Sequence, residues 1–323
     1  MYVFNEDPGL IEALVAAYGL GPVDDATRAE SGTMNETFLV RAGGRNVVLR
    51  RHRMTDRAAV EREHQVMAFT RARGVPIPAL LRTDGGDQIV ERGGRWHSMI
   101  AYAPGYQVDG ADLDVAKAYS MGAMLARIQV ALRDFPDASD NGIPPQGSAA
   151  PTLRRLRDVQ AAIRARADMT EQDHQALAYL ESKAEALRIS QTPPVLEEPR
   201  QLVHGDYQHN NLFFDRGDVV AVIDWDKAEH RAPSHEVIRV MSLSLKLQPS
   251  LCQALLDGYR DRCPVAISML DAAARQYSFE QLHDLWVHET VYLRNNDALR
   301  RFFTPPPFVP FATRWAELRT SLA

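Results

Sequence analysis

Along the first hundred residues the spacing of apolar positions switches between a helical and a strand period. Asp7-Pro8 pairs a capping residue with proline at a first helical position, and Leu10, Ile11, Leu14, Val15 and Tyr18 then share one face until Gly19 ends the helix. Residues 26–50 alternate as strands do, with TFLVRAGG and RNVVLRR flanking the turn residues Gly43-Gly44. The helical period returns over Asp56–Arg73, where Val60, Glu63, Met67 and Thr70 align. GVPIP stops it, because proline disfavours helix at and before its own position. Two further strands, Gln88–Glu91 and Trp96–Tyr102, meet through Gly93-Gly94. This pattern predicts a small antiparallel sheet with one inserted helix.

Beyond APG (Ala103–Gly105) the pattern is mainly helical, over Asp114–Arg133, Thr152–Arg166, Thr170–Arg188, Ser234–Lys246 and Ser250–Arg262, with FEQLHDLWVHETVYLRNND read as a further helical segment. The change of period divides the chain into residues 1–102 and 103–323. FPDASDNGIPPQGSAAP, rich in Pro, Gly and Ser, reads as a surface loop. Composition narrows the function classes. The 323 residues carry a net charge of −5, which gives no electrostatic footprint for nucleic acid. Two cysteines, Cys252 and Cys263, exclude a disulfide scaffold and a cysteine-based zinc site, and fit reduced thiols in the cytoplasm. No apolar run approaches the ~18 residues of a membrane span, and MYVFNEDPGL lacks the regions of a signal peptide.

The densest chemistry lies in Leu202–Asp215, LVHGDYQHNNLFFD, where a polar loop is held between two apolar runs. Leu212–Asp215 and Val219–Ile223 can pair as a hairpin across Arg216-Gly217-Asp218, which brings Asn211 and Asp224 to one end. Hard oxygen ligands so placed suit Mg²⁺, which is held by one or two side chains together with phosphates and waters. Asp206 then remains free to take a proton from an attacking hydroxyl.

The order His204-Gly205-Asp206, four residues, Asn211, a hairpin and Asp224 in AVIDWD resembles the protein-kinase template. HGD in place of HRD, and IDW in place of DFG, make it similar to the aminoglycoside phosphotransferase and choline kinase-like branch. The resemblance implies a bilobal α+β fold, with a sheet-based nucleotide lobe and a larger helical lobe, and an ATP- or GTP-dependent kinase of a small-molecule hydroxyl. It makes Arg50, at the end of VVLRR, the cation on the nucleotide phosphates, paired to Glu63 in VEREHQ, with Glu61 as the weaker choice. Ser31, Gly32, Thr33 and Asn35 of ESGTMNETF take the place of the nucleotide loop, and Ile100, Ala101, Tyr102 and Ala103 of MIAYAPG that of the hinge facing adenine. His204 is implied as a brace of the loop. His209 and Asp226 are candidates for substrate or a second metal, while His230, His235 and Glu236 fit the next helix and its cap.

The acceptor is less defined. Asp284 and Glu289 lie in an acidic helical segment that could receive a cationic acceptor such as an amino sugar or antibiotic. GVPIP, LARIQVALRDF and SGTMNETF are also similar to homoserine and hexosamine kinases, although Gln129 stands where those have histidine. A two-metal hydrolase using His204, Asp206, His209 and Asp224 lacks the GNH[DE] run, and a kinase-like binding protein without catalysis would not need Asp206, Asn211 and Asp224 together. The expected protein is a monomer or homodimer acting on a small molecule, without nucleic acid or membrane.

Overall fold

The computed structural model describes residues 8–29, 35–136, 148–192 and 196–322. Helix α1 (Pro8–Ala17) precedes strands β1 (Val23–Arg28), β2 (Glu36–Ala42) and β3 (Arg45–Arg51), then α2 (Arg57–Ala72), β4 (Val90–Arg92) and β5 (Arg95–Ala101). The five strands form one antiparallel sheet in the order β1-β2-β3-β5-β4. Its apolar face and α1 bury Leu14, Val15, Phe38, Leu49 and Met99 together. Strand β1, VDDATR, buries only Ala26, so most of it carries no alternation to read; as an edge strand it needs none. Asp56 caps α2 by accepting the Ala58 N–H, which fixes the helix where the periodicity places it.

The second half holds α3 (Val115–Leu132), α4 (Ala149–Arg164), α5 (Glu171–Ile189), α6 (Pro233–Leu243), α7 (Pro249–Arg260), α8 (Ile267–His283), α9 (Trp286–Tyr292) and α10 (Phe311–Arg319). Between α5 and α6 run β6 (Gln201–Val203), the hairpin β7 (Leu212–Asp215) and β8 (Asp218–Val222), and β9 (Glu229–Arg231). The hairpin turns through Arg216 and Gly217, both at positive φ, as a two-residue loop requires. Its inner face joins α3, α6, α7 and α8 in one core around Leu125, Phe214, Trp225 and Leu255. Strand β9 pairs antiparallel with β6. Its sequence, EHR, has no apolar signal.

Two sequence expectations need correction. His230 lies in β9 and not in the next helix or its cap. FEQLHDLWVHETVYLRNND is not one helix: α8 stops at His283, and Asp284 turns extended, with φ −81° and ψ 115°. The Asp284 carboxylate accepts the Trp286 N–H and starts α9, while its carbonyl accepts from Lys183. An aspartate that accepts the backbone N–H two residues on in this way competes with continuing the helix. Asp284 and Glu289 therefore do not share one continuous helix.

Candidate active site

The loop after β6 is clamped from both sides. His204 is buried; its Nε2 lies 3.1 Å from the Ile223 carbonyl and its Nδ1 accepts the Asp206 N–H at 3.2 Å. Burial holds this ring neutral, pushed down to about 4, so one nitrogen can donate and the other accept. Gly205 has φ +78°, and a Cβ there would lie 1.9 Å from the Lys227 carbonyl oxygen, so no other residue fits. The Gly205 N–H donates to the buried Glu236 carboxylate at 2.8 Å, tying the loop to α6. Asn211 donates through Nδ2 to the Asp206 carbonyl at 2.8 Å, which leaves Oδ1 as its ligand atom. Its own carbonyl accepts the Ile223 N–H at 3.0 Å, next to Asp224. The end of the hairpin thus joins Asp206, Asn211 and Asp224.

Asp206 carries two cations. Arg239 Nη2 donates to Oδ1 at 2.7 Å, and Lys227 Nζ to Oδ2 at 2.8 Å. Burial would raise this carboxyl, but Arg239 and Lys227 outweigh it and hold the group at about 2. It is ionised at every physiological pH.

The opposite balance holds beside it. Arg50, buried at the end of β3, meets Glu63 of α2 at 3.1 Å, Asp224 at 2.7 Å and Asp226 at 3.6 Å. One guanidinium therefore faces three carboxylates. Glu63 rises to about 7 through burial, with Arg50 opposing and the two aspartates adding to the rise. Asp224 is a non-glycine residue at φ +66°, a strained backbone that aims its carboxylate at this cluster. Asp226 Oδ2 accepts from Asn35 at 3.0 Å, while its buried Oδ1 has no hydrogen-bond partner among the described residues. Asn35 Oδ1 in turn accepts the Arg53 N–H. Among the described residues no three His, Cys, Asp or Glu side chains make a ready metal cage.

The segment after β5 is pinned to the hairpin. The Tyr106 and Phe214 backbones exchange hydrogen bonds at 3.0 and 2.8 Å, and a Cβ on Gly105, at φ +81°, would strike the Phe214 carbonyl at 2.5 Å. Within the expected hinge, Ile100 pairs with Val48 and the Ala101 N–H already donates to Ala79. Tyr102 and Ala103 lie beyond the strand. A cavity of about 760 Å³ runs along this segment, bordered by Met67, Arg71, Leu80, Ala101, Tyr102 and Ala221.

The remaining sequence candidates are dispersed. Ser31, Gly32 and Thr33 fall outside the described residues. Glu61 pairs on the exposed side of α2 with Arg57 at 2.7 Å, away from the Arg50–Glu63 pair. His209 opens a short 3₁₀ turn, its N–H bound to Ser244 Oγ at 3.0 Å and its ring beside Gly110. Burial and then Lys246 push His209 below its ordinary value. Glu289 is gripped by Arg155 through two hydrogen bonds of 2.7 and 2.8 Å, and Oδ1 of the exposed Asp284 accepts the Trp286 N–H. Lys227 and Arg239 went unread in the sequence. The available cue was a basic residue inside an apolar helical run, EVIRVM, since Arg239 there must find a partner.

Comparison with known proteins agrees with this geometry. A model of the phosphotransferase enzyme family matches residues 25–270. Acyl-CoA dehydrogenase family member 10 of Mus musculus is 27% identical over 270 residues, which cover 78% of this chain but 23% of that protein, so the likeness concerns a minor part of the mouse chain. A homoserine kinase of Gluconobacter oxydans is 21% identical, covering 86% of this chain and 88% of its own. Two solved structures superpose with a TM-score of 0.64. One is the amicoumacin kinase hAmiN in complex with AMP-PNP, Ca²⁺ and Ami, at 13% identity, covering 98% of this chain and 92% of that one. The other is an aminoglycoside phosphotransferase of Alicyclobacillus acidocaldarius, at 14%, covering 99% and 94%. At such identities the structures show the fold alone, which is protein-kinase-like.

Proposed function

This chain belongs to the phosphotransferase enzyme family, and on that premise we propose that it moves the γ-phosphoryl group of ATP, or GTP, to a hydroxyl of a small molecule. The observation that carries this reading is the convergence of Asp206, Asn211 and Asp224 at one end of the β7–β8 hairpin, with Arg50 joined to both Asp224 and Glu63. Residues 1–102 are assigned to the nucleotide and 103–323 to the loop and the acceptor. Ser31, Gly32, Thr33 and Asn35 would lie over the phosphates, Arg50 would contact them, and Tyr102 and Ala103 would offer backbone groups to adenine.

The orphaned Oδ1 of Asp226 and the excess of carboxylates around Arg50 suit a divalent cation, assigned as Mg²⁺ on Asn211 and Asp224 with Asp226 beside them. When bound it would neutralise charge on the phosphates. Asp206 orients the acceptor hydroxyl and takes its proton late, as suits a loose transition state and a carboxylate held near 2. His204 keeps the loop backbone in place. Two free cysteines fit a cytoplasmic setting, and no described helix is long and apolar enough to cross a membrane.

The test is Asp206→Asn, nearly isosteric. It should lower kcat by about 10²–10⁴-fold, with ATP affinity in calorimetry nearly unchanged. A variant within threefold of wild-type kcat would remove Asp206 from the chemistry.

A further inference from the structure

Resting on the phosphotransferase reading, we propose that the acceptor bears an anionic group, a carboxylate or a phosphate, near the hydroxyl that is phosphorylated, and that Lys227 and Arg239 hold it. Two cations on one carboxylate leave a surplus positive charge where the acceptor hydroxyl must lie. Both have donors to spare. Arg239 spends Nη2 on Asp206, while its buried Nη1 has no hydrogen-bond partner among the described residues. A guanidinium offers donors in a planar fork that matches a carboxylate or phosphate. Lys227 gives one of three ammonium donors to Asp206, and its side chain is 43% exposed. Its backbone packs against Gly205, and its ammonium is held at the loop by the Asp206 carboxylate at 2.8 Å.

Further basic groups act on the loop at His209. Lys246 acts on His209, and Arg314 acts on Lys246, with Asp109 the opposing charge at His209. Two of the acids that could welcome a cation are engaged elsewhere. Glu280 is bound by Arg231 at 2.7 Å and His235 at 3.0 Å, and Glu289 by Arg155. Arg50 serves the donor side through Glu63 and Asp224, which leaves Lys227 and Arg239 for the acceptor. In the transfer itself the acceptor oxygen bonds to the γ-phosphorus and the bond to the nucleoside diphosphate breaks. The hydroxyl proton passes to Asp206, and the products are the diphosphate and a phosphate monoester.

Matched acceptors test this: short hydroxy-carboxylates against the amides and amines of equal length, and glycerol phosphate against glycerol. ADP release and melting temperature with an ATP analogue are read for the full chain. We expect at least tenfold higher kcat/KM for one anionic class, and the two sets of pairs tell carboxylate from phosphate. Arg239→Gln should raise that acceptor's KM tenfold or more, and Lys227→Gln by less, with ATP KM within twofold. Preference for the amine or neutral member, equal response to both members by both readouts, or a rise confined to ATP KM would overturn the proposal. Failure of the premise reads differently: a wild type that binds no Mg²⁺–ATP in calorimetry, which removes this inference with it.

Discussion

Two charged clusters face each other across the hairpin end, and their balances are opposite. At Arg50, one guanidinium is shared by Glu63, Asp224 and Asp226, and all but Asp224 are deeply buried. At Asp206, one carboxylate is shared by Arg239 and Lys227, with Lys227 reaching solvent. A cluster short of positive charge stabilises a bound cation, and a cluster short of negative charge stabilises a bound anion. In the function proposed above, a metal-bearing nucleotide would meet its acceptor along this line, which asks for both balances. The resemblance to aminoglycoside kinases would suggest a cationic acceptor; of the acids expected to receive one, Glu289 is held by Arg155, while Asp284 is exposed and accepts the Trp286 N–H.

Removing the lone cation from the first cluster should have the largest effect. Arg50→Ala leaves Glu63 buried without its partner, a loss of about 3–5 kcal/mol when one member of a buried pair is deleted. Because Glu63 titrates at about 7, it can take up a proton as pH falls, and the penalty should shrink between pH 8 and pH 5. Urea unfolding at the two pH values measures this, and the same variant should raise ATP KM more than acceptor KM. An equal penalty at both pH values would break the contrast drawn for this cluster.

A smaller effect sharpens the other side. Glu236 is raised to about 7 by burial, against hydrogen bonds from Gln129 and Gly205. Its folded value lies above its unfolded value, so the folded state holds its proton longer. Stability is therefore fully present below about 4.5 and declines as pH rises towards 7, by no more than about 3 kcal/mol. Glu236→Gln should flatten that part of the stability profile in thermal melts. A profile as steep as wild type would assign the slope to other groups, Glu63 first.

Much of this arrangement was legible in the sequence. The spacing of His204, Asp206, Asn211 and Asp224 survives as geometry because a short hairpin leaves the chain no other path. Arg50 and Glu63 could be paired because strand and helix periods placed each at a definite position. Lys227 and Arg239 escaped notice because only the fold brings them to Asp206, 21 and 33 residues away. The α8–α9 break was hidden for a different reason. Apolar periodicity continues through Leu285 and Val287, and one aspartate accepting one N–H decides the boundary. Strand β9 was silent because it pairs with β6 and carries polar side chains that bond to one another and to α8 instead of an apolar alternation.

The central claim is that the carboxylate-rich end of the hairpin holds a divalent cation for the nucleotide. Calorimetry of ATP binding, with Mg²⁺ and with the metal chelated, tests it in wild type and Asp224→Asn. Wild type should bind ATP at least tenfold more tightly with Mg²⁺, and Asp224→Asn should lose most of that difference while still melting as a folded protein. Equal ATP affinity with and without Mg²⁺ in wild type, or an undiminished Mg²⁺ effect in Asp224→Asn, would contradict it.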